Sequence, residues 1–454
     1  MNLVKIFTTS TLIFTLGGSA LAITPNKLLS RGLTAYTSSG ENTYITDGDL
    51  TNWKQCTAKD IALNVGEGPT RLFITWESYG DCAWATNFTS GCGHTGTPLR
   101  NFQVYTSYNS TNGQDGDWTL AAEVNNNPVM ARGIYIDFEG MSWFRIISED
   151  EVGQILEIEA FDASNGGDDT WFFMGTSISQ MGIKQQDTDS TTANIINGRF
   201  PNFTPAMLRG GIGCINSTEV VAHLDDYLRY AGNVKHWAIE MGTNDAWGGG
   251  DWNLDNYKRN MQTIIDAAKK HGIEPILARI IATNEAKAGW QINPKFLDAV
   301  DELTEKNNLH PGPDFYNYFL EHPELIGSDG VHPNGETRGG QAMHHLWADA
   351  LAPLYAASDI EEGQDSLPSQ DSLPTKVKMK NMTIPALYVD GNNIRISSID
   401  EDVTINILSA SGILIEEHRI PKSQQAEIKS NVSSGLYIIV VKWNGGTTSY
   451  KVTF

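Results

Sequence analysis

The middle of the chain alternates between short apolar stretches and longer amphipathic segments, and this alternation limits the possible folds more than any other feature. The stretches "WFFMG", "HWAIEMG" and "EPILARII" are apolar enough for strands that are buried on both faces. Segments such as "NLDNYKRNMQTIIDAAKKHG" and "PKFLDAVDELTEKNN" carry apolar residues at helical spacing. The alternation predicts a parallel sheet with helices on both faces. Ligands of such sheets bind at the carboxyl ends of the strands.

Both sides of this region have strand patterns instead, and 454 residues exceed what one compact core usually holds. Short alternating runs such as "RLFITWE" and "GIYIDFE" in residues 23–165 predict an all-β sandwich. The α/β pattern occupies residues 166–357. Residues 358–383 are acidic, rich in Ser and Pro, and contain "QDSLP" twice, which predicts a linker. Residues 384–454 return to a strand pattern and predict a small C-terminal β-sandwich.

The N-terminus and the overall charge predict a secreted protein. In residues 1–22 a lysine precedes an interrupted apolar run, and Ala20-Leu21-Ala22 provides the small residues that a signal peptidase requires. We expect a cleaved signal peptide and no membrane span elsewhere. The 54 acidic residues outnumber the 32 basic ones and give a formal net charge of −22. This charge disfavours nucleic acid and anionic membranes as partners and suits a neutral one.

Four cysteines occur, at positions 56, 82, 92 and 214. Cys82 and Cys92 flank a loop sequence, so a short disulfide between them is expected in an oxidising compartment. Cys56 and Cys214 either pair with each other or remain buried thiols. The spacing of the four residues matches no zinc site.

Four polar blocks follow the predicted strands or lie close to them. Ser177 comes directly after "WFFMG", and Asn244 follows the strand "HWAIE" by a few residues. A glycine-rich turn with Gly213 lies between these two blocks, and Asp329 precedes His332 by three residues ahead of the last predicted helix. In this order and spacing the blocks resemble the SGNH hydrolases, a branch of the GDSL esterases. The resemblance covers almost the whole central region and implies a flavodoxin-like parallel sheet.

The resemblance implies a serine esterase, and acyl-transfer chemistry gives each block a role. A serine hydroxyl is a weak nucleophile until a neighbouring base accepts its proton, so we expect His332 to activate Ser177 and Asp329 to orient the imidazole. The oxyanion needs donors that are already in place, which the backbone N–H groups of Ser177 and Gly213 and the side-chain amide of Asn244 would provide. No cofactor is expected for catalysis.

Two departures from the family pattern and two simpler interpretations stay open. Thr176 stands where the family usually has Asp, in a Gly-Asp-Ser block. The oxyanion donor in "GGIGCINST" is either Gly213 or Cys214. The Asp-x-x-His block alone would also suit a turn ahead of a helix, and Asn244 with Asp245 would suit a helix N-cap.

The substrate is inferred from less direct features. Trp247 and Trp252 lie just past Asn244, where they would either stack on sugar rings or pack against their own loop. Secretion, the N-terminal β domain and the lack of a long apolar lid favour short acyl esters, above all acetyl esters, of a plant polysaccharide such as xylan. The alternatives are a general short-chain aryl or lipid esterase, an esterase for acetyl groups on cell-wall glycans, and an inactive carbohydrate-binding protein.

The flanking domains also resemble known families. "YITDGDLTNW" and "ILEIEAFDAS" resemble the discoidin-like, galactose-binding β-sandwiches, which implies a structural calcium near Asp47 and Asp49; an ordinary Asp-Gly turn is the alternative. "SGLYIIVVKWNG" and the terminal "SYKVTF" resemble the sorting domain of proteins exported by the type IX secretion system. This implies secretion or display on a bacterial cell surface by that machinery; a carbohydrate-binding sandwich is the alternative.

Overall fold

The chain forms two compact units, Met1–Asp365 and Ser366–Phe454. The predicted signal peptide, residues 1–22, lies outside the described residues. Among the residues that are described, no helix is both long and apolar enough to cross a membrane. The computed structural model describes residues 23–52, 54–78, 98–148, 154–184, 188, 190–333, 335–365, 386–390, 393–399, 402–409, 414–433, 436–443 and 446–453.

The N-terminal part of the first unit is the predicted all-β sandwich. Its two antiparallel sheets have the strand orders β1-β10-β5-β8 and β3-β2-β4-β9-β6-β7. Apolar side chains of both sheets fill the space between them, where Trp76 and Phe102 meet edge to face with ring centroids 5.0 Å apart. The strands are β1 (Lys27–Leu28), β2 (Ala35–Thr37), β3 (Gly40–Asn42), β4 (Asp60–Asn64), β5 (Arg71–Ser78), β6 (Phe102–Ser107), β7 (Thr119–Val124), β8 (Ala131–Asp137), β9 (Trp143–Ser148) and β10 (Ile155–Asp162), with a 3-10 turn at Leu50–Asn52.

The central part confirms the predicted α/β architecture. Five parallel strands have the order β12-β11-β13-β14-β15, which is the flavodoxin-like order 2-1-3-4-5. The elements are β11 (Thr170–Gly175), α1 (Ser177–Gly182), α2 (Thr192–Arg199), β12 (Ala206–Gly211), α3 (Ser217–Ala222), α4 (Leu224–Ala231), β13 (His236–Glu240), α5 (Leu254–Lys270), β14 (Glu274–Arg279), α6 (Glu285–Ala288), α7 (Pro294–Lys306), β15 (Pro311–Asp314), α8 (Phe315–Glu321) and α9 (Gly339–Asp365), with 3-10 turns at Trp247–Gly249 and Pro323–Leu325.

Helices cover both faces of this parallel sheet. One apolar cluster joins the sheet to α3, α4, α5 and α7, and a second joins it to α1, α2, α8 and α9. Strands buried on both faces need the continuous apolar sequences from which they were predicted. The first cluster also includes Phe73 and Phe161 of the sandwich, so the two parts of the first unit share a core.

The strand order determines where a ligand site can form. The chain passes from β11 to β12 on one side and then crosses to β13 on the other side of β11. The crevice between the carboxyl ends of β11 and β13 is therefore the switch point at which such sheets bind ligands. Ser177 follows β11 and Asn244 follows β13, so the fold brings two of the predicted site residues to this crevice.

The second unit confirms the predicted small β-sandwich. Its antiparallel sheets have the orders β16-β17-β20 and β19-β18-β21-β22, around a core of Ile and Val side chains. Helix α9 extends to Asp365, so the first residues of the predicted linker are helical; acidic composition does not stop a helix that is already nucleated. Residues 366–385 lie outside the described part. The strands are β16 (Ala386–Asp390), β17 (Asn393–Ile399), β18 (Val403–Ser409), β19 (Leu414–Ile420), β20 (Ser423–Lys429), β21 (Leu436–Trp443) and β22 (Gly446–Thr453).

Candidate active site

Ser177 is the first residue of α1 and follows a tight turn at the end of β11. Thr176 caps this helix, because its side-chain oxygen accepts a hydrogen bond from the Ile178 N–H at 3.1 Å. The turn requires glycine at position 175: a Cβ there would lie 2.0 Å from the Ser179 Oγ and 2.7 Å from a backbone oxygen of β13. The strand and helix together hold the Ser177 hydroxyl at the crevice.

The structure brings Ser177, His332 and Asp329 together in one hydrogen-bonded chain. The Ser177 Oγ lies 2.7 Å from the His332 Nε2, and the His332 Nδ1 lies 2.6 Å from the Asp329 Oδ2. With the proton on Nδ1, the imidazole donates to the carboxylate and its Nε2 accepts from the serine hydroxyl. The three groups come from two loops that are 155 residues apart in sequence.

The loop that carries Asp329 and His332 is held by its own hydrogen bonds. The Asp329 Oδ1 accepts the backbone N–H groups of Val331 at 2.9 Å and His332 at 3.0 Å. Partial burial tends to raise the pKa of Asp329, but these two N–H groups and the imidazole outweigh it and lower that pKa below its ordinary value. The carboxylate is thus ionised at neutral pH and available to stabilise an imidazolium. The interpretation of this block as a plain turn does not account for the Ser177 contact.

The glycine-rich turn and Asn244 lie beside the nucleophile. The Ile212 N–H donates to the Gly175 carbonyl at 3.0 Å, which joins the end of β12 to the turn before Ser177. Cys214 has φ of 64°, so the chain reverses sharply here. The Asn244 Nδ2 donates to the Ile215 carbonyl at 2.7 Å, and among the described residues nothing accepts its second N–H. The turn of Gly213 and the Asn244 amide are therefore joined directly.

Asp245 does not cap the helix that follows it. It is buried, and its carboxylate accepts the Ser217 hydroxyl at 2.5 Å and the Asn253 Nδ2 at 3.1 Å. The Ser217 backbone N–H also donates to it, at 3.1 Å. Asp245 thus ties the start of α3 to the segment after Asn244, and the N-cap interpretation of the Asn-Asp pair is wrong.

The structure adds an aromatic residue that the sequence pattern did not identify. Trp247 and Trp252 are 51% and 76% exposed, and the Trp247 ring lies 5.1 Å from that of Trp290. The stretch of residues 284–293 contacts both neighbouring loops: the Asn284 N–H donates to the Gly330 carbonyl at 2.8 Å, and the Asn293 Nδ2 donates to the Gly249 carbonyl at 3.3 Å. The stretch therefore places Trp290 between the loop after Asn244 and the loop of Asp329.

The bonding states of Cys56 and Cys214 contradict part of what the sequence predicted. Cys56 is a free, buried thiol, whereas Cys214 is disulfide-bonded. The pairing of Cys56 with Cys214 is therefore wrong, and so is a free thiol at Cys214. Cys82 and Cys92 lie outside the described residues, but they are the only other cysteines of the chain. Because the bond of Cys214 requires one of them, the predicted disulfide between Cys82 and Cys92 is wrong as well.

The hydrogen bonds of the Asp-Gly-Asp turn in the sandwich are those of an ordinary turn. The Asp47 Oδ1 accepts the Asp49 N–H at 2.8 Å, and the Asp49 Oδ1 accepts the Thr51 N–H at 3.0 Å. Across the described ranges, no group of three or more His, Cys, Asp or Glu side chains is arranged to hold a metal ion. Calcium at Asp47 and Asp49 stays a prediction.

Comparisons with known proteins give one family match. Residues 390–453 match the family described as the secretion system C-terminal sorting domain, which confirms the identification of the C-terminal domain. No curated protein matches the chain in sequence.

Several solved esterases are similar to part of the chain. A lipase/acylhydrolase from Enterococcus faecalis is 15% identical, with a TM-score of 0.34, over 40% of this chain and 95% of its own. An acetylxylan esterase from Geobacillus stearothermophilus is 18% identical, with a TM-score of 0.31, over 41% and 93%. An esterase from a Pseudoalteromonas species is 17% identical, with a TM-score of 0.30, over 44% and 100%. Identities and TM-scores this low do not assign a function, so the function has to be inferred from the residues of the site.

Proposed function

We propose that the central domain is a serine ester hydrolase with Ser177, His332 and Asp329 as its catalytic residues. One observation carries the proposal: the continuous hydrogen-bonded chain from the Ser177 Oγ through both ring nitrogens of His332 to the Asp329 carboxylate. This arrangement lies at the carboxyl end of the sheet, at the switch point where sheets of this kind bind their ligands.

The residues would act in the order that acyl transfer requires. The Ser177 Oγ attacks the ester carbonyl carbon while the His332 Nε2 takes its proton, and the Asp329 carboxylate stabilises the imidazolium. The backbone N–H of Ser177, an N–H of the Gly213 turn and the free N–H of Asn244 stabilise the oxyanion. The imidazolium then protonates the leaving alcohol. Water attacks the acyl-serine with the same base, which releases the acid and restores the serine.

We further propose that the substrate is a short acyl ester, above all an acetyl ester, on a neutral polysaccharide such as xylan. The exposed Trp247 and Trp252 support a sugar rather than an alkyl chain, because flat aromatic faces stack well on pyranose rings. The net charge of −22 supports a neutral polymer. The sorting domain supports an extracellular substrate.

A colorimetric acetyl-ester assay on the wild-type protein and Ser177→Ala tests the activity. We expect release of the chromophore by the wild type alone. Equal inactivity of both would favour a carbohydrate-binding protein with no esterase activity.

A second assay separates the substrates. Acetylated xylan, a long-chain ester and acetylated peptidoglycan are each incubated with the wild type, and the released acid is measured. Acetate from xylan alone is the expected result. Release from the long-chain ester would favour a general esterase, and release from peptidoglycan alone would favour a cell-wall glycan substrate.

We propose that the C-terminal domain delivers the enzyme through a secretion machinery and has no part in catalysis. The first unit ends at Asp365 and contains every residue of the candidate site. Deleting everything after Pro374 should therefore leave the specific activity unchanged and prevent delivery to the cell surface or medium. A soluble, folded truncation without activity would contradict this separation.

A further inference from the structure

Glu240 is a buried carboxyl directly behind the site, and the mechanism above does not use it. It is the last residue of β13, is fully buried, and pairs in register with Gly175 of β11. Its Oε2 accepts the Ser179 hydroxyl at 3.5 Å, the long end of the hydrogen-bond range. Its Oε1 is buried and has no hydrogen-bond partner among the described residues.

The surroundings of Glu240 favour its neutral form. Burial raises its pKa to about 8, against the lowering effect of the hydroxyls of Ser179, Thr243 and Thr176. No cationic side chain in the described part of the chain is among the causes of that shift, so no positive charge offsets the burial of an ionised carboxylate. Tyr257 of α5 is a titratable neighbour, and its hydroxyl donates to the Met241 carbonyl at 2.9 Å. At neutral pH the carboxyl thus has an O–H to donate.

The hydroxyls around Glu240 belong to both turns that form the site. Thr176 precedes the nucleophile and caps α1. Thr243 precedes Asn244, and within the part of the chain that is described its buried Oγ1 has no hydrogen-bond partner, like the Glu240 Oε1. A carboxyl that donates to Thr243 and accepts from Ser179 would satisfy both orphaned oxygens and connect the two turns.

We propose that Glu240 is a positioning residue that holds the turn of Ser177 and the turn of Asn244 in register with each other. The inference depends on the proposed function, because both turns matter only if they carry a nucleophile and an oxyanion donor. It also accounts for Thr176: an aspartate there would put a second carboxyl against Glu240, whereas threonine supplies a hydroxyl.

Two substitutions with side chains of similar length distinguish a positioning role of Glu240 from a role in filling space. Glu240→Gln keeps a donor and an acceptor, whereas Glu240→Met keeps the volume and removes both. The full-length proteins are assayed for kcat and KM with 4-nitrophenyl acetate from pH 5 to 9. Glu240→Gln should stay within about threefold of wild-type kcat at pH 7. Glu240→Met should lose about 10²-fold in kcat with KM little changed, since small misplacements of reacting groups cost that much.

The pH dependence gives a readout that a space-filling role would not change. The folded pKa of about 8 lies above the ordinary 4.5, so the stability contribution of Glu240 is full below pH 4.5 and is lost as the pH rises through 8. Wild-type Tm should therefore fall between pH 5 and 8 relative to that of Glu240→Gln. Above pH 8 the wild-type kcat should fall while that of the glutamine variant persists.

Several outcomes would overturn the proposal: wild-type kcat in folded Glu240→Met, a glutamine variant as impaired as the methionine variant, or parallel Tm profiles for wild type and Glu240→Gln. Ser177→Ala is assayed beside them. Wild-type activity no higher than that of Ser177→Ala would refute the proposed esterase itself, which is a different result. The Tm comparison then still decides the state of Glu240.

Discussion

The carboxylate of Asp329 holds His332 in two ways at once. One oxygen lies 2.6 Å from the imidazole Nδ1, and the other accepts the backbone N–H of the same residue at 3.0 Å. The backbone contact fixes where the residue sits, and the ring contact fixes which nitrogen faces Ser177. Spacing of three residues makes both contacts possible within one turn.

Replacing Asp329 with Asn tests the electrostatic part of this relationship. The amide preserves the size of the side chain but removes the charge that stabilises the imidazolium. We expect kcat for an acetyl ester to fall by about 10³–10⁴-fold, with Tm changed little. Asp349→Asn, at an exposed carboxylate paired with Arg199, is the control and should retain wild-type kcat. Loss of folding in Asp329→Asn would mean that the carboxylate is mainly structural.

Asn244→Ala tests the oxyanion site. The substitution removes the N–H available to a ligand together with the 2.7 Å hydrogen bond to the Ile215 carbonyl. Loss of one oxyanion donor should lower kcat by about 10²–10³-fold. Because the effect belongs to the transition state, KM should change much less. A large rise in KM at unchanged kcat would instead assign Asn244 to substrate binding.

Local sequence predicted the parts of the fold that depend on local properties. The strands β11, β13 and β14 are buried on both faces, so their apolar runs were sufficient to predict them. The polar blocks of the site each lie within a few consecutive residues, and their types follow from acyl-transfer chemistry. Their order along the chain could therefore be interpreted before their distances were known.

The strands that the sequence pattern missed depend on distant partners. β12 reads "AMLRGG", which suggests a glycine-rich turn, yet it is completely buried. Its glycines leave room for neighbours: a Cβ on Gly211 would lie 2.1 Å from the Gln180 nitrogen. β15 contains Pro311 and Pro313, which are tolerated because it is an edge strand. The proximity of Trp290 to Trp247 likewise arises only from the folded chain.

Trp252→Ala and Trp290→Ala test the aromatic contribution to polysaccharide binding. Trp252 is 76% exposed, so its removal should not affect folding. With acetylated xylan we expect KM to rise several-fold in each variant, because the stacking of an indole ring on a sugar ring is lost. With 4-nitrophenyl acetate, which has no sugar, kcat/KM should stay at the wild-type value. Leu320→Ala, at another exposed apolar residue, is the control. Equal effects on both substrates would show that the rings support the acyl site rather than a glycan.

A buried ion pair joins the sandwich to β12, the strand before the glycine-rich turn. The Arg209 Nε of β12 lies 2.7 Å from the Glu77 Oε1 of β5, and the two side chains are 3% and 6% exposed. The Arg209 Nη2 also donates to the Ser78 carbonyl at 2.8 Å. Since β12 ends two residues before Gly213, this pair anchors the sandwich next to the proposed oxyanion site.

Glu77→Gln should destabilise the first unit strongly, because it leaves a buried guanidinium without its counter-charge. We expect a loss of about 3–5 kcal/mol in the free energy of unfolding, measured by urea denaturation. The double variant Glu77→Leu with Arg209→Met should recover most of it, since a well-packed apolar pair avoids the cost of burying two charges. Lys258→Ala removes the exposed pair with Glu302 and should cost less than about 1 kcal/mol. If Glu77→Gln were no more destabilising than Lys258→Ala, the pair would not anchor the sandwich to β12.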